Sequence, residues 1–489
     1  MIDVDLNINW LQQRVNINGD DNALITSSGN VTYKNLADKV NNFAELLIEK
    51  DIKREDRVGL LFSNSVDFII SLFSLWQIGA VPVPLNLRLS TGEIDEQIIF
   101  SKIKLLLIEE RLSGNYDGIN FHNKLLFTDK IKKTENSNPK IEKINVHQTS
   151  LILFTSGSTS QPKAVELSFS NLFYSASGID DEINFSRKDL FLATLPFYHI
   201  GGFSIIVRAL LSGGSIAISN SIKTDDILLG IKSFKPTIIS LVPTQLKRIV
   251  DLNEKPHSDL RCMFLGGGPI NKQIIQTALK LGWKLFIVYG ATETASMVTL
   301  LKPGEIMERM NCAGKPISRN RILIKNEKGN ILKPNMEGRI HIISKAVMKG
   351  YLNREIDRIS NSEFGSDDAG YVDDNGYLYI TGRYDDIIIS GGENINCRQV
   401  DTALQDHHNI LDSYSFGVND SEWGQLLCSA VVLHNKSDYS EIKMRDFLKI
   451  KLADFKIPKK IIVVDHIPKN DLGKVEKNKL IDYLKSNFD

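Results

Sequence analysis

The sequence predicts an α/β protein: a large N-terminal domain of doubly wound sheets with a β-rich subdomain, then a small α+β C-terminal domain. Three observations predict it. From about residue 30 to 300, short apolar runs alternate with helical patterns, the signature of a mostly parallel sheet covered by helices. From about residue 315 the pattern changes to short strands separated by Gly and Asn turns, which read as hairpins. The last hundred residues are amphipathic and basic, with helices and short strands. At 489 residues the chain is too long for one ordinary core, so two or more domains are expected.

The elements follow in order. DRVGLLFSN (56–64) reads as a strand, SVDFIISLFSLWQIG (65–79) as a helix and AVPVPLN (80–86) as a strand. FIISLFSLWQIGAVPVPLNL (68–87) is the one stretch resembling a membrane span, but Gly79, Pro82 and Pro84 cut it into a helix and a short strand. The polar run TDKIKKTENSNPKIEKINVHQTS (128–150) reads as an exposed connection into the sheet. TIISLVP (237–243) and KLFIVYG (284–290) are strands ending at turn residues, with NKQIIQTALKLG (271–282) a helix between them. RILIKNEKGNILK (321–333) and GRIHIIS (338–344) form the hairpin-rich region, and the domain boundary is placed near Arg383–Asp385. In such folds, ligands sit at the carboxyl ends of the parallel strands.

Composition excludes several classes of function. Lys+Arg and Asp+Glu balance at 59 each, which argues against a mainly electrostatic binder of nucleic acid or membrane surface. The N-terminus MIDVDLNINW carries early acids and no basic-then-apolar leader. Cys262, Cys312, Cys397 and Cys428 are widely separated, so neither a zinc site nor a disulfide scaffold is expected. Reduced thiols in a cytoplasmic protein without stable membrane insertion are the reading.

Chemistry concentrates in LILFTSGSTSQPKAVELS (151–168). Four apolar residues give way to hydroxyls, Gly157, Pro162 and Lys163, a composition suited to holding an anion. A P-loop of the G-x-x-x-x-G-K-[ST] type is absent, because Lys163 follows Pro162 and precedes Ala164. Further blocks follow: LPFYHIGGF (195–203), LGGGPI (265–270), YGATET (289–294), FGSDDAGYVDDNGYLYITGR (364–383), GGENI (391–395) and PKNDLGKVEKNKL (468–480). No Ser–His–Asp or paired-carboxylate constellation accompanies them.

These blocks, in this order, resemble the acyl-adenylate-forming (AMP-binding) superfamily of acyl-CoA synthetases, luciferases and adenylation domains. Two positions depart from its phosphate loop: Ser160 and Ala164 stand where glycines are usual. The resemblance implies that Thr155, Ser156, Gly157, Ser158, Thr159 and Lys163 cradle the phosphates of ATP. It implies that Gly267, Gly268, Tyr289 and Gly290 pack about adenine, and that Thr292 contacts the α-phosphate. Glu293, with Thr159, would hold Mg²⁺, while His199 lies beside the acyl pocket. Asp368 and Arg383 would bind ribose; Asp367, where glycine is usual, either adds to that clamp or faces solvent. Asp385 would be the hinge and Lys474 the catalytic lysine of a mobile C-terminal lid. That gives residues 1–382 for ATP and acid, 383–385 as hinge and 386–489 as lid, with Lys474 needed for adenylation but not for thioester formation.

A narrower resemblance, carried by LPFYHIGGFSIIVRALLSGG (195–214), SLVPTQLKRI (240–249) and FLGGGPI (264–270), is to the o-succinylbenzoate–CoA ligases of menaquinone biosynthesis. It implies ATP, Mg²⁺ and CoA as the participants beside the acid, with polar or cationic partners for a second carboxylate. His199, Gln245 and Arg248 are the candidates; Arg248 is equally a solvent-facing helix residue. A fatty or aryl acid–CoA ligase and a carrier-loading adenylation enzyme remain alternatives. A stand-alone enzyme is expected, a homo-oligomer is left open, and no residues are named for the CoA nucleotide.

Overall fold

A computed structural model describes residues 4–127, 143–155, 163–268, 272–353, 359–360, 362–384, 387–390, 393–420, 424–452, 454–469 and 475–484. The chain divides into two compact units, Met1–Arg321 with Ile342–Phe364, and Ile322–His341 with Gly365–Asp489. Most of the expected connection at 128–150 lies outside the described residues.

The first unit begins Trp10–Asn18 (α1), Asn22–Thr26 (β1), Gly29–Thr32 (β2), Tyr33–Glu49 (α2), Arg57–Leu61 (β3), Val66–Gln77 (α3) and Val81–Pro84 (β4). Thr91–Ser101 (α4), Leu105–Glu109 (β5) and Lys124–Phe127 (β6) complete a four-stranded parallel sheet, in the order β4-β3-β5-β6. The span-like stretch is a buried helix followed by a strand. Ser65 starts α3 by accepting from the Phe68 amide, and every residue from Phe68 to Gln77 is buried. No described helix is long and apolar enough to cross a membrane.

A second run comprises Thr149–Thr155 (β7), Lys163–Ser168 (β8), Phe169–Ile183 (α5), Leu190–Leu192 (β9), Ile200–Ser212 (α6) and Ser215–Ala217 (β10). Thr224–Phe234 (α7), Ile238–Leu241 (β11), Pro243–Asp251 (α8), Cys262–Leu265 (β12), Lys272–Lys280 (α9), Leu285–Ala291 (β13), Ser296–Leu301 (β14) and Cys312–Pro316 (β15) follow. In this unit six parallel strands lie in the order β13-β12-β11-β9-β10-β1, bounded by antiparallel β14 and β15 at one side and β2 at the other. After Arg321–Lys325 (β16) and Gly338–Ile343 (β17), the strand Gly350–Tyr351 (β18) returns to pair antiparallel with β8, which also pairs β7.

Helices α1, α3, α5 and α6 meet in an aromatic core, where Trp10 packs edge-on against Trp76 and Phe169 at 5.8 and 5.5 Å. The carboxyl end of α6 is held by this layer. Arg14 donates to the carbonyls of Leu210 (2.8 Å) and Leu211, and Tyr33 donates to Gly214 O at 2.6 Å. These donors satisfy carbonyls that a buried helix end otherwise leaves orphaned.

The second unit carries β16, β17, Glu363–Val372 (β19) and Leu378–Arg383 (β20) side by side in that order. It continues with Ile387–Ser390 (β21), Glu393–Asn396 (β22), Cys397–Gln405 (α10), Ile410–Asp420 (β23), Gly424–Leu433 (β24), Glu441–Lys451 (α11), Lys460–Val463 (β25) and Lys477–Leu484 (α12). β24 shows why this small domain is α+β. Its Leu427, Val431 and Leu433 pack with Val400, Leu404 and Leu448, while Cys428, Ala430 and Val432 pack with Val464, Ile467 and Leu480. Side chains alternate across a strand, so one strand anchors helices on both faces. By packing, this unit takes in residues 365–384 as well as the final hundred; Asp385 lies outside the described residues. All four cysteines are free and buried.

Candidate nucleotide and acid site

The parallel order brings the motifs together. β9, β11, β12 and β13 are successive neighbours, with Leu241 opposite Leu265 and Leu265 opposite Ile287. Their carboxyl ends deliver residues 193–199, 242–245, 266–268 and 289–293 to one edge of the sheet, where α/β proteins bind ligands.

The first of these loops is pinned by one amide. Asn64 Nδ2 donates to Ala193 O (3.3 Å) and Leu195 O (2.8 Å), and its Oδ1 accepts from the Phe197 amide at 2.9 Å. His199 then stands at the N-cap of α6 without capping it by its side chain. Burial, with the nearby Arg88 charge, lowers its pKa to about 4, so the imidazole is neutral at neutral pH. Because the folded value lies below the ordinary 6.5, whatever the neutral ring contributes to stability is lost as the pH falls from about 6.5 toward 4. Adenylation rates are therefore expected to show no His199-dependent inflection between pH 6 and 8. A step near 6.5 that disappears in His199→Gln would contradict this assignment.

Gln245 opens α8. Its Oε1 accepts from the Val242 amide at 3.1 Å and its Nε2 donates to Thr194 O at 3.0 Å, tying the end of β11 to that of β9. One lone pair and one N–H of that amide remain for a ligand. Of the two alternatives for Arg248, the helix places it on the exposed side, opposite buried Leu246, Ile249 and Val250. Gly267 adopts φ 81, a conformation that favours glycine, and both Gly267 and Gly268 are exposed. The backbone is open to solvent at both; Pro269, Ile270 and Asn271 lie outside the described residues.

β13 ends in a single 3₁₀ turn, Thr292–Thr294, before β14 departs antiparallel. Buried Thr294 holds the turn: its Oγ1 accepts from the Ala291 amide (2.9 Å) and faces the carbonyls of Ala291 and Ser296. Thr292 and Glu293 are left half-exposed at the tip, beside Tyr289 and Gly290. The two residues after the turn, Ala295 and Ser296, sit at φ 51 and 110, so strained backbone is stored here. Glu293 Oε1 accepts from the Tyr351 hydroxyl at 2.6 Å, and its carbonyl accepts from the Met348 amide at 2.8 Å. Lys163, the first residue of β8, lies with its ammonium 5.9 Å from the Tyr351 ring. Thr155 is paired with Lys163 across the hairpin; Ser156, Gly157, Ser158, Thr159 and Ser160 lie outside the described residues.

The donor set fits Mg²⁺ rather than a metal held in a protein cage. Among the described residues no group of three or more His, Cys, Asp or Glu is placed to hold a metal ion. A single carboxylate, with substrate phosphates and water completing the shell, is how Mg²⁺ is usually held.

One residue escaped the sequence reading. Arg208, on α6, is 2% exposed. Its Nη2 donates to Ser296 Oγ at 3.0 Å and its guanidinium lies 5.5 Å over Phe264, but its Nε has no acceptor. Among the described residues no carboxylate pairs with it. Leu172, Ser175, Ala176, Ser204, Val207 and Ala295 pack around it and leave no cavity large enough for a water. A lone charge inside FSIIVRALLSG (203–213) was the available signal.

In the second unit Asp368 lies opposite Arg383 in the antiparallel ladder of β19 and β20. Asp367 and Asp368 are both half-buried. Lys474 lies outside the described residues.

Comparison with known proteins places this geometry. Residues 11–352 match the AMP-binding enzyme family, and residues 399–474 match the AMP-binding enzyme C-terminal domain. The 2-succinylbenzoate–CoA ligase of Bacillus licheniformis is 31% identical over 475 residues, covering 96% of this chain and 99% of the relative. The o-succinylbenzoate CoA synthetase of Bacillus subtilis, solved with the acyl-adenylate intermediate OSB-AMP, superposes with a TM-score of 0.88 at 30% identity, covering 97% of this chain and 98% of that one. The same enzyme solved with ATP and a magnesium ion gives a TM-score of 0.88, covering 97% and 99%. The chain belongs to the AMP-binding enzyme family.

Proposed function

We propose that the chain is an ATP-dependent acid–CoA ligase that converts 2-succinylbenzoate, ATP and CoA into 2-succinylbenzoyl-CoA, AMP and pyrophosphate, in menaquinone biosynthesis. Support comes from relatives that carry this activity in their names and match over nearly the whole chain. In the first half-reaction a carboxylate oxygen attacks the α-phosphorus and the bond to pyrophosphate breaks. The nucleophile is already ionised, so no general base is required, in keeping with a neutral His199. Thr292 offers a hydroxyl to the α-phosphate, while Lys163 and the 155–163 hairpin balance the departing charge. Glu293 would hold Mg²⁺, which would supply further neutralisation of the phosphates. In the second half-reaction the thiol sulfur attacks the acyl carbonyl, the bond to AMP breaks and the thiol proton passes to solvent. For Asp368, Arg383, Asp385 and Lys474, and for the 386–489 lid, we keep the roles the resemblance implies.

We assign the second carboxylate of this acid to Arg208, a buried cation with no carboxylate partner among the described residues. Burial lowers its pKa to about 10, which leaves it charged at neutral pH. An uncompensated buried cation is costly. We infer that the second carboxylate of the substrate opens this enclosed spot and offsets that cost; octanoate and benzoate have only the one consumed by adenylation. ATP–pyrophosphate exchange is therefore expected with 2-succinylbenzoate, and about 100-fold less with octanoate or benzoate. Arg208→Met is expected to raise the KM for 2-succinylbenzoate about tenfold or more, a charge-assisted hydrogen bond's worth, with the KM for ATP unchanged. Faster exchange with the monocarboxylates would overturn the substrate while leaving the adenylation chemistry standing.

A further inference from the structure

We propose that Tyr351 is a positioning residue for the metal-binding carboxylate, and that its ring joins that carboxylate to the phosphate-binding lysine. The inference rests on reading Glu293 as the Mg²⁺ carboxylate. Three observations carry it. The Tyr351 hydroxyl donates to Glu293 Oε1 at 2.6 Å, which leaves Oε2 without a protein donor among the described residues. The Lys163 ammonium lies 5.9 Å from the same ring, within reach of its negative face. The segment bearing Tyr351 is bonded to both neighbours through backbone. Met348 N donates to Glu293 O (2.8 Å), Lys349 N to Glu166 O (2.9 Å) and Leu352 N to Ala164 O (2.8 Å).

Residues 348–352 thus form a strap between the Thr292–Thr294 turn and the exit strand of the phosphate hairpin. A carboxylate with one oxygen tethered presents the other in a fixed direction, and such outer partners of a metal ligand typically carry a tenfold or larger share of metal affinity. Lys163 and Glu293 lie far apart in sequence, one on a strand and the other in a 3₁₀ turn. Tyr351 reaches both, so it sets their separation to suit a Mg²⁺-bound triphosphate.

The test is Mn²⁺ binding, followed by electron paramagnetic resonance, to enzyme saturated with α,β-methylene-ATP. Tyr351→Phe keeps the ring and removes the hydroxyl. It is expected to weaken Mn²⁺ about tenfold and to leave metal-free nucleotide binding unchanged. Tyr351→Leu, which also removes the ring, is expected to weaken metal-free nucleotide binding as well, through Lys163. In a Glu293→Gln background Tyr351→Phe should have no further effect on Mn²⁺. Unchanged Mn²⁺ affinity in Tyr351→Phe, or the same loss in the Glu293→Gln background, would overturn the proposal. If the wild-type enzyme with nucleotide took up no Mn²⁺, the assignment of Glu293 itself would fail, and the proposal with it.

Discussion

Asp189→Ala is expected to lower the unfolding free energy by about 1.5–3 kcal/mol, the scale of hydrogen bonds lost from a charged group, because the Arg261 left behind is 34% exposed and can be solvated. Asp189 is 3% exposed and accepts five hydrogen bonds. Two come from Arg261 (Nε and Nη2, 2.7 Å each), one from the Thr237 hydroxyl (2.8 Å), and two from Ser186, its amide (2.7 Å) and its hydroxyl (3.3 Å). Arg261 also donates to the carbonyls of Ile183 and Asn184 at the end of α5, and Thr237 accepts from the Leu190 amide. One carboxylate therefore joins the amino ends of β9, β11 and β12, at the sheet edge opposite the candidate site. Burial alone raises the Asp189 pKa, but the Arg261 and Thr237 hydrogen bonds outweigh it and hold the carboxyl below its ordinary value. The stability it contributes is thus present above the unfolded pKa of about 4 and is lost as the pH falls through the lower folded value. Urea unfolding at pH 7 measures the loss. A change under 1 kcal/mol would show that the network is relieved by solvent.

Gly290→Ala is expected to lower kcat/KM for adenylation about 100-fold, the scale of a displacement near 1 Å at reacting groups. A Cβ at Gly290 would stand 1.9 Å from Ser296 O and 2.6 Å from its carbonyl carbon. Those are backbone atoms of the adjoining strand, so the hairpin tip itself must move, and Thr292 and Glu293 move with it. The sequence reading gave Gly290 to the nucleotide; the packing gives the turn its own need for glycine there. Gly304→Ala is the control, since its Cβ would meet nothing within 4 Å and it has no part in the site. Pyrophosphate exchange on the two variants decides the matter, and equal activities would refute the steric account.

Elements and their order were legible because they depend on local pattern. The runs at 57–61, 238–241 and 285–291 were readable as strands from apolar continuity and the turn residues that end them. The 65–86 stretch was readable as helix then strand because Gly and Pro interrupt it. Motif residues placed at strand ends were readable for the same reason: LPFYH, LVPTQ, LGGG and YGATET each follow a run that became a parallel strand. Pairings were not. Asn64 holds the 193–197 loop from far away in sequence, and nothing in its own neighbourhood marks it for that role.

The sequence by itself determined the succession of strands and helices, the blocks of chemistry and their order, because propensity and turn chemistry act over a few residues. Only the tertiary structure decided which side chains those blocks lean on. Arg208 became a buried cation without a counter-charge among the described residues because α6 is wrapped on all sides, a property of its surroundings rather than of FSIIVRALL. Tyr351 meets Glu293 because β18 pairs with β8. The carboxylate and the phenol that orients it are brought within 2.6 Å by a strand pairing that no local pattern encodes.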